Sequence, residues 1–283
     1  MSRDDLDLKL EMEIEAFRAT TGNGTGIWAN GSNPSRWGWQ EARWRMKLGG
    51  VDIEEIYATC IKPYATEGSV ALDIGTNGGF WLSKMLDNGV DKALGIDALS
   101  AEHLGFWQKI YKWHGPDPIY GVNGREPKVG FMQVKDFYLT GLEDNFLDYV
   151  FSYDVFCHIS WPGAKTYLTS LFSKMKHGAN AFIMLADKDK YPFNQVTNNP
   201  NKTWGQSLAE TARLPDYEAV VADRDGEHSR SPGRWYFYGV EDFCAFATET
   251  GFEVVNRDVS PQADVNNTIV HFRKPGLGDI RND

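Results

Sequence analysis

Residues 70–82 read V-A-L-D-I-G-T-N-G-G-F-W-L. Val70 to Ile74 is a short apolar, strand-forming run interrupted by one carboxylate, Asp73. It breaks into Gly75-Thr76-Asn77-Gly78-Gly79, after which Phe80, Trp81, Met85 and Leu86 recur at helical spacing. Strand, glycine-rich turn and helix, in that order, open a nucleotide-binding α/β unit. Glycine serves at such a turn because a residue without a side chain lets the backbone bend sharply and come close to a ligand.

Spacing narrows the choice of ligand. A dinucleotide fingerprint needs G-x-G-x-x-G, and counting from Gly75 the chain offers Gly75, Asn77 and Phe80. The pattern acidic-x-G-x-G-x-G fits better, as Asp73, Gly75, Asn77 and Gly79. Its one departure is mild, since asparagine tolerates a left-handed backbone better than other non-glycine residues. In this the stretch resembles the first motif of the class I S-adenosylmethionine (SAM)-dependent methyltransferases. The resemblance implies that Asp73, Gly75, Thr76, Asn77 and Gly79 hold the methionine end of SAM, whose ammonium suits a nearby carboxylate. A turn that needs glycine for geometry alone is the competing reading. Two rival functions stand beside it: a nicotinamide-dependent oxidoreductase on a similar sheet, and a noncatalytic SAM-fold binding protein.

The next strand pattern, Lys92 to Asp97, ends in an acid one helix crossover beyond Asp73. A carboxylate at that strand tip can accept from both ribose hydroxyls, with Ala98 beside it; capping of the following helix is the alternative, although Ser100 is better placed for that. The third strand pattern, 129–137, runs into Asp136 and Phe137. By the family resemblance these meet the adenine; an ordinary solvated turn is the rival reading.

Residues 147–160, L-D-Y-V-F-S-Y-D-V-F-C-H-I-S, carry the second chemical signal. The tail from Ser152 resembles the segment after the fourth strand in small-molecule methyltransferases. There the residues, Tyr153 among them here, line both the methionine end of SAM and the acceptor pocket. Asp154 and His158 are four apart, so a helical turn would place them on one face. A histidine oriented by a carboxylate keeps one ring nitrogen available to take a proton, which suits a general base. A histidine that merely closes the turn is the alternative.

The remaining periodicity predicts helices over 4–19, 52–62, 101–113, 162–177 and 239–250. It predicts strands over 179–187, 253–258 and 268–274, the last two as an antiparallel hairpin. His103 and His114 read as surface residues. The expected architecture is α/β: a Rossmann-like, seven-stranded, mostly parallel sheet with helices on both faces. Residues 1–67 form an N-terminal helical lid segment and 68–274 the main domain. Residues 188–238 are an inserted substrate cap after strand five, and 275–283 a loose tail. Trp28, Trp37 and Trp44 crowd the lid segment, where aromatic faces either attract a sulfonium or pack helices together. Trp37 is taken as a substrate-binding candidate, with Arg230, Trp235 and Tyr236 of the cap. Arginine suits anionic acceptors and aromatic faces suit sugar rings. Asp223 to Glu227, beside His228, reads as a solvated acidic turn in preference to a metal cluster, so no metal is expected.

Twenty-nine basic against 39 acidic residues leave a charge of −10, which argues against nucleic acid or an anionic membrane as the main partner. Three scattered cysteines exclude a full disulfide framework and fit a reducing compartment. The N-terminus lacks the apolar run of a secretory signal, and no run approaches the roughly 18 residues of a membrane span. The expectation is a soluble, cytoplasmic enzyme transferring a methyl group from SAM to an oxygen or nitrogen of a small-molecule acceptor, its oligomeric state open.

Overall fold

The computed structural model describes residues 3–22, 53–120, 126, 128–190, 206, 209–210, 213–229, 234–261 and 267–278. Strand β1 (Val70–Ile74) lies inside the sheet. It pairs in parallel with β2 (Lys92–Asp97) on one side and β4 (Leu147–Ser152) on the other. Strand β3 (Val129–Gln133) extends the sheet beyond β2, and β5 (Met175–Ala186) extends it beyond β4. The closing pair is antiparallel: β7 (Asn267–Arg273) lies between β5 and β6 (Glu253–Asn256), giving the order β3-β2-β1-β4-β5-β7-β6. The fold is therefore the seven-stranded, mostly parallel sheet that the alternation of strand and helix patterns predicts.

Alternate residues of the central strands point to opposite faces, and each face is covered by helices. Ala71, Ala93, Tyr149, Phe151 and Phe182 meet Ile53 and Ile56 of α2 (Ile53–Ile56), Trp81, Leu82 and Met85 of α3 (Phe80–Asp87), and, past the short α4 (Ala101–Leu104), Phe106 and Ile110 of α5 (Phe106–His114). Leu72, Ile74, Val150 and Ile183 meet the other layer. There α7 (Trp161–Lys174) and α9 (Val240–Thr250) supply Leu168, Leu171 and Phe243, whereas the short α6 (Asp117–Tyr120) and α8 (Tyr217–Ala222) pack on the first face through Ile119, Tyr217 and Val220. Residues Tyr57–Ile61 continue α2 as a π-helical turn.

Several boundaries differ from the periodicity. The helix predicted over 162–177 ends at Lys174, and Met175 already belongs to β5. The amides of Asn145 and Phe146 bond to the carbonyls of Ser173 and Lys174, so the helix end is tied to the entry of β4 and the chain leaves it extended. Strand β3 stops at Gln133, before Asp136. His114 is half-buried and its Nε2 lies 2.7 Å from Ser83 Oγ; His103 is half-buried as well. Ser100 does cap the helix after β2, accepting from the His103 amide at 3.2 Å.

The first helix, α1 (Arg3–Gly22), buries Leu10 and Ile14, one turn apart, against the α7 layer. It also reaches the sheet's C-terminal edge. Arg18 donates to the carbonyls of Ala98, after β2, and Val134, after β3. Residues 23–52 of the predicted lid, with Trp28, Trp37 and Trp44, lie outside the described residues, while 53–61 form α2 and its π-helical continuation. No helix among the described residues is long and apolar enough to cross a membrane.

Candidate active site

The turn after β1 is built as its sequence implies. Gly75, Asn77 and Gly79 all have positive φ, at 69°, 47° and 82°. Asn77 therefore occupies the left-handed position where the motif has glycine. The amides of Gly75 and Thr76 donate to Ile96 O of β2, at 2.8 and 3.0 Å, and the Asn77 amide donates to Asp97 Oδ2 at 3.0 Å. The tips of β1 and β2 are thus locked together with Asp97 between them. Gly75 is needed on two counts. Besides its φ, a Cβ there would lie 2.1 Å from Val155 Cγ2 in the turn after β4.

A cavity opens at these C-terminal strand ends, where ligands of parallel α/β sheets bind. Gly75, Asn77, Asp97, Ala98 and Phe137, five of the predicted cofactor residues, line it. So do both predicted catalytic residues, Asp154 and His158. Leu99, Val134 and Ile159 add apolar wall, and Tyr167 of α7 and Glu13 of α1 complete it. Asp97 carries the polar end: its Oδ1 accepts from the Leu99 amide at 2.9 Å while Oδ2 takes Asn77. Burial raises its carboxyl above the usual range, with those amides opposing.

Five predicted cofactor residues stand outside that lining. Asp73 is buried under the turn, its Oδ2 accepting from Thr76 Oγ1 at 2.7 Å. Burial lifts its pKa to about 7, against the Thr76 hydrogen bond. Asp73 and Thr76 brace the turn from below. Gly79 starts α3, and Tyr153 packs on Trp81. Asp136 accepts from the amide of Tyr138 at 2.8 Å in a local turn.

The turn after β4 departs from the expected geometry. Asp154 has φ 61°, and only Phe156–His158 form a 3-10 turn, so the two catalytic candidates do not lie on one helical face. The contact at His158 Nδ1 is the carbonyl of Arg234, at 3.1 Å. A carbonyl only accepts, so Nδ1 carries the hydrogen of this bond, and in the neutral ring the lone pair is then on Nε2. Asp154 Oδ1 accepts from the Cys157 thiol at 3.5 Å. Asp154, Cys157 and His158 bring potential metal-ligand atoms within 4.8 Å of one another. Burial, with Asp154 beside it, pushes the Cys157 thiol well above its usual range.

The cap segment takes a different role at the residues described. Asp223 is not part of a solvated turn. It is buried, with Oδ1 accepting from the amides of Glu227 (2.7 Å) and His228 (3.1 Å) and Oδ2 from Ser229 N (3.1 Å) and Arg234 Nη1 (2.6 Å). Burial alone would raise its pKa; the His228 amide and the Arg234 guanidinium outweigh this and hold it low. Tyr236 is buried with its ring 4.2 Å from that guanidinium, so it faces the hub and not the cavity. Arg224 pairs with Asp242 at 2.6 Å. Trp235, half-buried, meets the His158 ring edge-on with centroids 5.9 Å apart. Trp37 and Arg230 lie outside the described residues.

Glu13 was missed by sequence reasoning. Its carboxylate accepts from Ser160 N at 2.6 Å and Ser160 Oγ at 2.5 Å, at the start of α7. Burial raises its pKa, opposed by those two bonds. The available signal was its place on α1: three residues after Leu10 and one before Ile14, it is a carboxylate bordering the buried face.

No protein-family model matches the chain. No curated protein matches it either. Solved structures do. Magnesium protoporphyrin IX methyltransferase from Synechocystis PCC 6803 with bound SAM superposes at TM-score 0.55 with 15% identity, covering 93% of this chain and 97% of that one. A SAM-dependent methyltransferase from Aquifex aeolicus gives TM-score 0.50 and 19% identity, over 88% and 100%. The DhpI–SAH complex gives 0.52 and 13%, over 95% and 98%.

Proposed function

We infer the function from the fold of this chain, which is that of the class I SAM-dependent methyltransferases. We propose that it is such an enzyme, using SAM to methylate an oxygen or nitrogen of a small-molecule acceptor, a sugar or natural-product hydroxyl being the favoured class. We further propose that it acts in the cytoplasm, without nucleic acid or membrane as partner. The observation that carries this reading is the shared cavity: the glycine turn, Asp97 and His158 meet there although the first and last are some 80 residues apart. The neighbour that acts on magnesium protoporphyrin IX supports a small acceptor on this fold.

The residues present fit SAM. Asp97 has lone pairs left for ribose hydroxyls after its two amide bonds, and Ala98, Leu99, Val134 and Phe137 offer an apolar slot for a flat base. Gly75 presents bare backbone at the turn, where any Cβ would strike Val155, and Asn77 follows in the left-handed region. When bound, SAM supplies an electrophilic methyl on a sulfonium. The protein's own work is alignment, exclusion of water and removal of a proton. His158 takes the acceptor's proton at Nε2, its ring held by the Nδ1 bond to Arg234 O. Asp154 and Glu13 place further negative charge on the cavity wall, which favours a cationic ligand over its neutral product.

Calorimetry with SAM, SAH and NADH tests the cofactor assignment, and labelled SAM over a panel of hydroxyl and amine acceptors tests the reaction. Tight NADH binding with no heat from SAM or SAH would overturn it. His158→Ala should lower turnover by about 10²–10⁴-fold, the usual worth of a positioned base, while SAM affinity stays nearly constant. Wild-type turnover in that variant removes His158 from the mechanism.

A further inference from the structure

The turn carrying His158 is held by the segment that follows α8. Four hydrogen bonds cross between them. Trp161 N donates to Arg224 O at 2.9 Å, and His158 Nδ1 donates to Arg234 O at 3.1 Å. Tyr236 N donates to Cys157 O at 2.7 Å, and Tyr238 Oη donates to Phe156 O at 2.6 Å. Phe156, Cys157 and His158 are consecutive, so each residue of the 3-10 turn is tied by its own bond. Arg234, Tyr236 and Tyr238 are alternate residues of a segment outside helix and strand, and each bonds to the turn.

Arg234 is the fixed point of this strap. Its side chain is 1% exposed. Nη1 donates to Asp223 Oδ2 (2.6 Å) and Ser229 O (2.8 Å), and Nη2 to Asp223 O (2.8 Å) and Val220 O (3.4 Å). Tyr236 covers its face. A planar fork held at four acceptors and one ring leaves its own backbone little freedom, and that backbone supplies the carbonyl that meets His158.

We propose that Arg234 is a positioning residue for His158: the buried guanidinium fixes where its carbonyl lies, and the carbonyl fixes the ring's tautomer and direction. This rests on the reading of His158 as the base. In the Nδ1–H tautomer the lone pair is on Nε2, free of the carbonyl and directed by the ring's orientation; in the other tautomer the base has no lone pair to offer there. Lysine keeps the charge that Asp223 needs but cannot reproduce the fork.

The test joins a spectroscopic readout to kinetics. With ¹⁵N-histidine labelling, the wild-type protein should show His158 protonated at Nδ1 in its neutral form, and Arg234→Lys should show a tautomer mixture. Turnover of Arg234→Lys should fall by about tenfold, the scale of one lost orienting hydrogen bond, with KM for SAM within about twofold. If Arg234→Lys does not fold, Tyr236→Leu, which uncovers the face of the guanidinium, is read the same way and should lower turnover by about threefold. A wild-type His158 protonated at Nε2, or a variant with unaltered tautomer and turnover, overturns the proposal. The tautomer is observed without any reaction, so this outcome is distinct from failure of the methyltransferase reading, which shows as wild-type protein without SAM binding or transfer.

Discussion

Gly75→Ala should be among the most damaging single-methyl additions available in this protein. Two separate penalties meet there. The backbone sits at φ 69°, and placing an L side chain in the left-handed region costs about 1–2 kcal/mol. The new Cβ would also lie 2.1 Å from Val155 Cγ2, 2.9 Å from Cγ1 and 3.1 Å from Cβ. All three atoms belong to one side chain, so relief requires Val155 to move, and overpacking of this kind costs about 1–3 kcal/mol. Together the loss is about 2–5 kcal/mol, read as a lower urea midpoint at constant m. Val155→Ala, which removes both methyls, separates the two parts. In the double variant the steric part should return as a coupling of about 1–3 kcal/mol, while the backbone part stays lost. SAH affinity should follow the same pattern, because Gly75 and Val155 both line the cavity. Equal destabilisation by Gly75→Ala with and without Val155 would refute the close approach, and an unchanged midpoint would refute both penalties.

Other consequences follow from buried charge. Asp223→Ala leaves the Arg234 guanidinium buried without its counter-ion, and breaking such a pair from one side costs about 3–5 kcal/mol; thermal unfolding by circular dichroism measures it. Asp73 gives a pH signature. Burial raises its folded pKa to about 7 from 3.8, so the fold prefers it neutral. Wild-type stability should therefore fall as pH rises from about 4 to about 7 on this group's account and level off above. Asp73→Asn should remove that component of the slope, and urea midpoints in the two proteins across this range check it; parallel profiles would contradict it.

The central architecture was legible in the sequence because it depends on local pattern. Apart from Asp73, the runs at 70–74 and 93–96 are apolar on both faces and so require burial on both sides, which a helix-covered parallel sheet provides. The left-handed Asn77 was readable for the same reason: a motif position that needs positive φ admits asparagine at small cost. Asp97 at the tip of β2 followed from one crossover length.

What the pattern does not carry is any contact between distant residues. Asp223 is a polar residue in a polar segment until Arg234 folds back onto it, and Tyr236, which composition made an acceptor contact, is consumed by that hub. Glu13 reaches the cavity from the far end of the chain, 147 residues from Ser160. Asp154 and His158 are near in sequence, yet the ring's partner at Nδ1 comes from 76 residues on. Sequence periodicity thus determined the sheet, the glycine turn and the acid at the strand tip, since each is fixed within one βα unit. Tertiary structure decided which groups face the cavity and which distant groups meet His158 and Asp223, since long-range hydrogen bonds and burial settle only once the layers have packed.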